Sequence, residues 1–424
     1  MSEEFLQFIW QNRLFDKESL VTHTGEKVEV IHVGSRSSNS GPDFVNARVK
    51  LGSTIWAGNA EVHLKSSDWF RHGHHEDRAY DNVILHIVRE NNAIVRRPDG
   101  EEIPTLELAV NPWLESKYEE LKSSRTWIAC EKDFKVPDEF QFHAWLERLA
   151  IERLEQKSAR IQSLLAHYSN DWEEAFYCSL SANLGYKINA QPFEMLAKSV
   201  PLHLLLRHRD SQLQMEALLF GQAGFLGYTL FDDPYCSALK KEYAFLKQKY
   251  SLRPMEPHLW QFLRLRPNGF PTVRIAQLAA LVGKTNGLFS KIIEATDLQR
   301  IRALFRAEPA PYWATHFQFN KQSVSQVKIL GNDTIDSIFI NTMTPFLFAY
   351  GQTHGSQLHK DRALEYLRQI PSEKNSVVSA WEKLKVAAAC AMDSQALLQL
   401  KNEYCARHKC LSCQVGMWIL QKRS

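Results

Sequence analysis

The sequence lacks any uncharged run long enough to span a membrane, and its first residues show no cationic stretch followed by an apolar run. It also lacks an excess of charge of one sign, because 51 Lys and Arg residues face 48 Asp and Glu residues and leave a net charge of +3. These absences predict a cytoplasmic protein without a membrane partner. They also argue against an overall field that would hold nucleic acid non-specifically.

Cysteine is sparse, and its seven copies form no pattern that resembles a disulfide framework. Three motifs of nucleophile and nucleotide chemistry are absent as well. These are the Gly-x-Ser-x-Gly elbow, the Gly-x-x-x-x-Gly-Lys-Ser/Thr phosphate loop and a Gly-x-Gly-x-x-Gly turn after a strand. We therefore find no support for serine-elbow hydrolysis or for nucleotide-cofactor chemistry.

The composition of the sequence is typical of folded globular domains. Hydrophobic residues make up 44% of the chain, with 11 Trp and 23 Phe, and 424 residues suit two main domains. The hydrophobic periodicity changes near residue 136, where long helical patterns replace short strand patterns. We predict an α+β protein with one domain at residues 1–135 and a mostly α-helical domain at residues 136–424.

The first domain shows a definite order of elements. Apolar residues at helical spacing predict a helix over residues 5–14, and β-branched or alternating segments predict strands at 28–33, 44–51 and 54–64. A polar stretch at 66–82 indicates a helix, or a helix with a loop. The apolar run at 83–88 is typical of a buried central strand. The predicted order is therefore helix, three-stranded meander, helix, strand.

Two carboxylates stand at the strand ends of this arrangement. Asp43 begins the second predicted strand and Glu61 lies near the end of the third, so the two can converge on one Mg²⁺ or Mn²⁺ ion. Residues two apart on a strand share a face, which places His63 and Lys65 beside Glu61. A polar face on an ordinary strand has the same spacing, so spacing alone does not decide between the two interpretations.

The order of elements resembles the αβββαβ core of the PD-(D/E)XK, or restriction-endonuclease-like, nuclease superfamily, and Pro42-Asp43 and Glu61-x-His63 stand where that superfamily keeps its motifs. The resemblance implies that Asp43 and Glu61 bind the metal ion and that nucleic acid is the partner. It also implies that His63, which stands where that superfamily has Lys, orients or deprotonates the attacking water, and that Lys65 could supply the cationic charge. The chain also resembles an uncharacterised bacterial family with a domain of unknown function, through the phrases Gly41-Pro42-Asp43-Phe44, Trp56-x-Gly58-Asn59-x-Glu61-Val62-His63, Asn82-Val83-Ile84-Leu85-His86 and Cys410-Leu411-x-Cys413.

Two other functions compete with a metal-dependent nuclease. His72 and His74 follow His63 closely, and such spacing is also typical of transition-metal sites, so a metallohydrolase built on these histidines is one alternative. A degenerate nuclease fold that binds nucleic acid or protein without catalysis is the other, since fold does not determine function.

A second metal site is predicted at the carboxyl-terminal cysteines. Cys405, Cys410 and Cys413 have spacing that Zn²⁺ and iron–sulfur sites share, and such a site takes four ligands. His408 and Cys390 are the two candidates for the fourth. Buried or exposed thiols without a metal are the competing interpretation.

Overall fold

The computed structural model describes residues 1–37, 40–97, 99–136, 138–227 and 233–422. The chain divides into two units, of which the first comprises residues 1–145 and 400–424 and the second residues 146–399. The predicted boundary near residue 136 lies close to the first break. The last segment, which the prediction assigned to the helical domain, groups instead with the amino-terminal unit.

The first unit combines a sheet with a few helices. Its strands are β1 (Val28–His32), β2 (Ser35–Arg36), β3 (Phe44–Leu51), β4 (Thr54–Lys65), β5 (Val83–Glu90) and β6 (Thr105–Glu107). Its helices are α1 (Glu3–Gln11), α2 (Asp68–Arg71), α3 (Pro112–Ser123) and α18 (Gln414–Gln421), together with single turns at Arg78–Tyr80, Leu400–Cys405 and Cys410–Ser412.

The strands form one mixed sheet in the order β1-β3-β4-β5-β6, with β2 paired to β3. The pairs β1–β3 and β3–β4 are antiparallel, whereas the pairs β4–β5 and β5–β6 are parallel. The predicted meander is therefore confirmed, and β5 is buried over Val83–Val88 as its apolar run predicted. The polar stretch at 66–82 forms the short helix α2, one 3₁₀ turn and loop.

The hairpin between β3 and β4 brings the two candidate carboxylates to neighbouring strands. Leu51 pairs with Thr54 across a two-residue turn in which Gly52 has a φ of 57°, a conformation that glycine adopts without strain. A register shift between Phe44 and Ala47 marks a bulge, with Asn46 at a φ of 59°. The bulge follows Asp43 directly, and bulges change the direction of nearby side chains.

Helix α1 packs against β4 and carries the apolar face that the sequence predicted. Its amino terminus is capped by Ser2, whose hydroxyl accepts a hydrogen bond from the backbone N–H of Phe5 at 3.3 Å. Glu3 and Glu4 lie in the first turn, where negative charge is favourable. Phe5, Ile9 and Trp10 are fully buried, so burial of this face fixes the helix on the sheet.

The second unit is mostly helical, as predicted. The aromatic side chains of this unit include a cluster in which Trp172 and Phe176 stack on Phe289 and Phe346 meets Phe176 edge-on. Its helices are α4 (Glu139–His167, which begins in the first unit), α5 (Trp172–Leu184), α6 (Tyr186–Ser199), α7 (Leu202–Leu206), α8 (Gln212–Gln222), α9 (Pro234–Lys249), α10 (Pro271–Lys284), α11 (Leu288–Glu294), α12 (Leu298–Leu304), α13 (Asn332–Ile338), α14 (Thr344–Thr353), α15 (Gln357–Gln369), α16 (Ser376–Lys383) and α17 (Ala391–Gln399), with a small hairpin of β7 (His316–Gln318) and β8 (Lys321–Gln322). Within the described ranges, every helix is too short or too polar to cross a bilayer.

Candidate metal centre

Asp43 and Glu61 meet across the β3–β4 pair. Because Phe44 pairs with Ala60, Asp43 falls opposite Glu61. The backbone N–H of Asp43 donates to Oε2 of Glu61 at 2.9 Å, and the backbone N–H of Val62 donates to Oδ2 of Asp43 at 3.1 Å. Each carboxylate is thus held by the backbone of the opposite strand. The two residues are therefore neighbours across the strand pair, as the hairpin spacing predicted.

Two histidines stand beside the second oxygen of Glu61. Oε1 of Glu61 lies 3.6 Å from Nε2 of His63 and 3.4 Å from Nε2 of His74. Glu61 and His63 are nearly inaccessible to solvent, at 5% and 1% exposure. The ring of Tyr80 stacks on His74 with centroids 3.8 Å apart and holds that imidazole in place.

The imidazoles form a connected group behind the carboxylates. Nε2 of His63 lies 3.2 Å from Nδ1 of His72, and Nδ1 of His63 lies 2.9 Å from Nε2 of the buried His86. One ligand atom from each of His63, His72 and His74 lies within 4.8 Å of the other two. This spacing allows three imidazoles to bind one ion.

Helix α1 adds two polar residues that the sequence analysis did not identify. Burial raises the pKa of Glu3, and the nearby charges of Asp43 and Asp68 raise it further. Gln7, one helical turn later, is buried, hydrogen-bonds the Asp43 side chain and accepts a bond from Arg36 at 2.8 Å. The signal was the i, i+4 spacing of Glu3 and Gln7 at the edge of an apolar helix face, where polar side chains are seldom buried without a partner.

Lys65 stands apart from this group. Its side chain is 53% exposed, and its ammonium lies 3.5 Å from Oε2 of Glu90 on the neighbouring strand. Its backbone N–H donates to Oδ2 of Asp68 at 3.1 Å. Of the four side chains predicted to act together, Asp43, Glu61 and His63 are therefore brought together, whereas Lys65 pairs elsewhere.

The carboxylates are crowded in a dry environment, which disfavours their charged forms. Burial raises the pKa of Glu61 to about 9, and the neighbouring charge of Asp43 raises it as well. Burial also raises the pKa of Asp43, and it raises that of Glu3 to about 7. Burial and mutual repulsion both make the charged carboxylates unfavourable. A divalent cation among these groups would offset both effects, because its positive charge compensates their negative charge.

The histidines show the opposite shift, which keeps them neutral. Burial, together with the charges of His74 and His72, lowers the pKa of His63 to about 3. Burial and His72 lower the pKa of His74 to about 4. Neutral imidazole is the form that binds metal, so these side chains need lose no proton to do so at neutral pH. A base with so low a pKa accepts a proton poorly, which favours His63 as a ligand over His63 as a general base.

The predicted cysteine site falls in the same unit but elsewhere in it. Cys405 ends the turn at Leu400–Cys405, and Cys410 and Cys413 flank the next turn. Of the two candidates for a fourth ligand, Cys390 belongs to the second unit. Nδ1 of His408 lies 3.4 Å from the backbone oxygen of Leu121. The three predicted cysteines therefore lie in one segment of the first unit, whereas Cys390 does not.

Comparison with known proteins identifies a family without an assigned activity. The model of the family described as "Protein of unknown function (DUF2851)" matches residues 3–376, and the chain belongs to this family. The matched range includes the carboxylates and histidines of the candidate metal centre, whereas the three carboxyl-terminal cysteines lie beyond it. No curated protein and no solved structure shows a significant match to the chain.

Proposed function

We propose that this protein is a divalent-metal-dependent nuclease that hydrolyses phosphodiester bonds of DNA or RNA at the site formed by Asp43 and Glu61. The observation that carries the proposal is the reciprocal pairing of the two residues, in which each carboxylate accepts a backbone N–H from the opposite strand. The element order resembles that of the PD-(D/E)XK nucleases, and Asp43 and Glu61 occupy the positions of the metal ligands in that pattern. The resemblance supplies the reaction class.

The donor set suggests which ion is used. Oxygen atoms of Asp43 and Glu61 suit Mg²⁺ and Mn²⁺ equally, but Nε2 atoms of His63 and His74 lie within 3.6 Å of the same Glu61 oxygen. Imidazole nitrogen is a poor ligand for Mg²⁺ and a better one for Mn²⁺. We therefore expect Mn²⁺ to support more activity than Mg²⁺.

In the proposed hydrolysis, backbone N–H groups and Gln7 would hold the carboxylates of Asp43 and Glu61 in fixed positions for metal binding. A bound divalent cation would neutralise charge on the scissile phosphate and lower the pKa of the attacking water. The oxygen of that water forms a bond to phosphorus as the bond from phosphorus to the leaving oxygen breaks, and the water's proton is transferred to the leaving oxygen. Asp43 and Glu61 fix the geometry through the backbone bonds described above, and Gln7 orients Asp43.

The test uses the purified full chain, stripped of metal and resupplied with Mn²⁺ or Mg²⁺, on single-stranded, duplex and branched DNA and on RNA. We expect cleavage that a chelator stops and that Asp43→Asn abolishes. Asp81→Asn, at an exposed aspartate outside the site, serves as the matched control and should cleave normally. Absence of cleavage on every substrate with either ion would leave a non-catalytic binding role as the better account.

A second candidate function rests on the histidines alone. His63, His72 and His74 can bind a transition metal without either strand-end acid, as in a metallohydrolase for small molecules. That function predicts that zinc or iron remains bound in Asp43→Asn and is lost in the double variant His72→Ala, His74→Ala. The nuclease proposal predicts the opposite, namely that Asp43→Asn reduces metal binding more than the double variant His72→Ala, His74→Ala does.

A further inference from the structure

Four of the seven cysteines belong to the first unit, although they are far apart along the chain. Cys130 lies in the loop after α3, whereas Cys405, Cys410 and Cys413 lie in the carboxyl-terminal segment. All four are free thiols, and Cys130, Cys410 and Cys413 are buried. The remaining cysteines (Cys178, Cys236 and Cys390) lie in the second unit.

Direct contacts hold the loop before Cys130 against the segment that carries the other three. The ammonium of Lys401 donates to the backbone oxygen of Trp127 and lies 5.2 Å from the centre of its ring. Nδ1 of His408 lies 3.4 Å from the backbone oxygen of Leu121. Helix α18, which follows Cys413, packs on α3. Residues 112–127, which precede Cys130, therefore contact the carboxyl-terminal segment before Cys405, between Cys405 and Cys410, and after Cys413.

The carboxyl-terminal segment is folded tightly around its thiols. The backbone N–H of Cys413 donates to the oxygen of Cys410 at 3.3 Å, which closes a turn between the two cysteines. A Cβ at Gly416 would lie 2.2 Å from that same oxygen, so only glycine lets the first turn of α18 come this close. Such a turn between cysteines two residues apart is the usual support for two metal-binding sulfurs.

The thiols are also near enough to affect one another's ionisation. Burial raises the pKa of Cys130 to about 12, with further contributions from Cys413 and Cys410. Burial raises the pKa of Cys405, to which Cys413 and Cys130 add, and it raises the pKa of Cys413 to about 12. Cys130 therefore belongs to one group with the three carboxyl-terminal thiols.

We propose that Cys130, Cys405, Cys410 and Cys413 bind an iron–sulfur cluster that joins the carboxyl-terminal segment to the amino-terminal unit. Four thiolates are the usual ligand set of such clusters and of structural zinc. In a tetrahedral zinc site with Zn–S bonds of 2.3 Å, sulfurs lie about 3.8 Å apart. Among the described residues, the group whose ligand atoms all lie within 4.8 Å is that of the histidines, not the cysteines. Because no three of these sulfurs all lie within 4.8 Å of one another, the four thiols are not arranged for a single tetrahedral ion, and we assign them to the larger centre, a cluster of several ions.

The test is purification of the full chain without oxygen, followed by measurement of iron, acid-labile sulfide, zinc and visible absorbance. We expect iron and sulfide in the wild type, their loss in Cys130→Ser, and their retention in Cys390→Ser, which changes a thiol of the second unit. Zinc in place of iron would overturn the cluster assignment. Absence of both metals, or full metal content in Cys130→Ser, would overturn the four-cysteine site.

Two further measurements keep the result interpretable. X-ray absorption at the iron edge of the double variant His72→Ala, His74→Ala, which lacks two of the histidines that could hold iron in the sheet, should show sulfur ligands alone. Nitrogen or oxygen ligands in that variant would contradict the proposal even if Cys130→Ser fails to fold. Asp43→Asn should retain the cluster, because Asp43 belongs to the separate site in the sheet. Loss of nuclease activity with an intact cluster would therefore bear on the proposed function alone.

Discussion

Nδ1 of His63 lies 2.9 Å from Nε2 of His86, and both imidazoles are buried. This contact decides how His63 can bind a metal ion. If Nε2 of His63 is a ligand, its Nδ1 carries the ring proton and donates a hydrogen bond to Nε2 of His86. His86 therefore acts as a positioning residue that fixes the tautomer and the ring orientation of His63.

Replacing His86 should weaken metal binding without removing a ligand. We expect His86→Leu to lower the affinity for Mn²⁺ by about 10–100-fold, the usual effect of losing a partner of a metal-binding histidine. Isothermal titration calorimetry measures it. His75→Leu, at a histidine whose Nε2 contacts Glu76, is the matched control and should bind normally. Equal affinities in the two variants would contradict the positioning role.

Metal affinity should rise with pH from neutrality toward 9. The pKa of Glu61 is raised to about 9, so the carboxyl must lose a proton to bind an ion below that pH. The pKa values of His63 and His74 are lowered to about 3 and about 4, so these rings contribute no further pH dependence there. Calorimetry in buffers of different ionisation enthalpy should detect proton release on binding. An affinity that does not change with pH would show that Glu61 is not protonated in the metal-free protein.

The sequence predicted the candidate site unevenly, for physical reasons. Alternation and strand ends were enough to predict that Asp43 and Glu61 lie on neighbouring strands, because pairing across a short hairpin depends on local sequence. The same alternation placed Lys65 beside them, but Lys65 ends its strand and pairs with Glu90, whose position depends on a strand further along the chain. The helical spacing of Glu3 and Gln7 predicts only that the two share a helix face, because the position of that face beside Asp43 depends on how α1 packs on the sheet.

The cysteines illustrate the same limit at longer range. Spacing predicted a site at Cys405, Cys410 and Cys413, since these lie within one short segment. The association of Cys130 with them requires the end of the chain to return to the first unit. The helical pattern after residue 136 contains no sign of that return, so spacing alone predicts a fourth ligand near the cluster in sequence, at His408 or Cys390.

Removing the charge of Glu61 should stabilise the metal-free protein at alkaline pH. Its pKa is raised from 4.5 to about 9 in the folded state, so the folded state binds this proton more tightly than the unfolded state. The protonated Glu61 therefore contributes stability to the folded state that is fully present below pH 4.5, decreases as the pH rises, and is lost above about pH 9. Glu61→Gln avoids that loss, and we expect its Tm at pH 8 to exceed that of the wild type by about 2 °C or more.

The same variant should lose its response to metal. Differential scanning fluorimetry with and without Mn²⁺ should show a rise in Tm for the wild type and for Glu29→Gln, an exposed glutamate of β1, but not for Glu61→Gln. A lower Tm for metal-free Glu61→Gln at pH 8 would contradict the assignment of Glu61 as a buried, repelled acid.

Gly58 is predicted to be indispensable for the packing of β4 on β5. A Cβ at this position would lie 2.5 Å from Cγ2 of Ile84 and 2.6 Å from the backbone oxygen of Asn82. Gly58→Ala should therefore lower the free energy of unfolding by about 1–3 kcal/mol, the cost of forcing atoms into a filled space. Gly269→Ala, where a Cβ meets no atom within 4 Å, is the control. Denaturant unfolding of both variants would show whether the contact is as tight as the distances indicate.

Direct titration of the metal-free protein with Mn²⁺ tests the central claim, that Asp43 and Glu61 hold a divalent ion between two strands. The account predicts about one ion bound per chain and an affinity at least about tenfold weaker in Asp43→Asn. Asp81→Asn should bind as the wild type does. Equal affinity in wild type and Asp43→Asn, or no binding by either, would contradict the account.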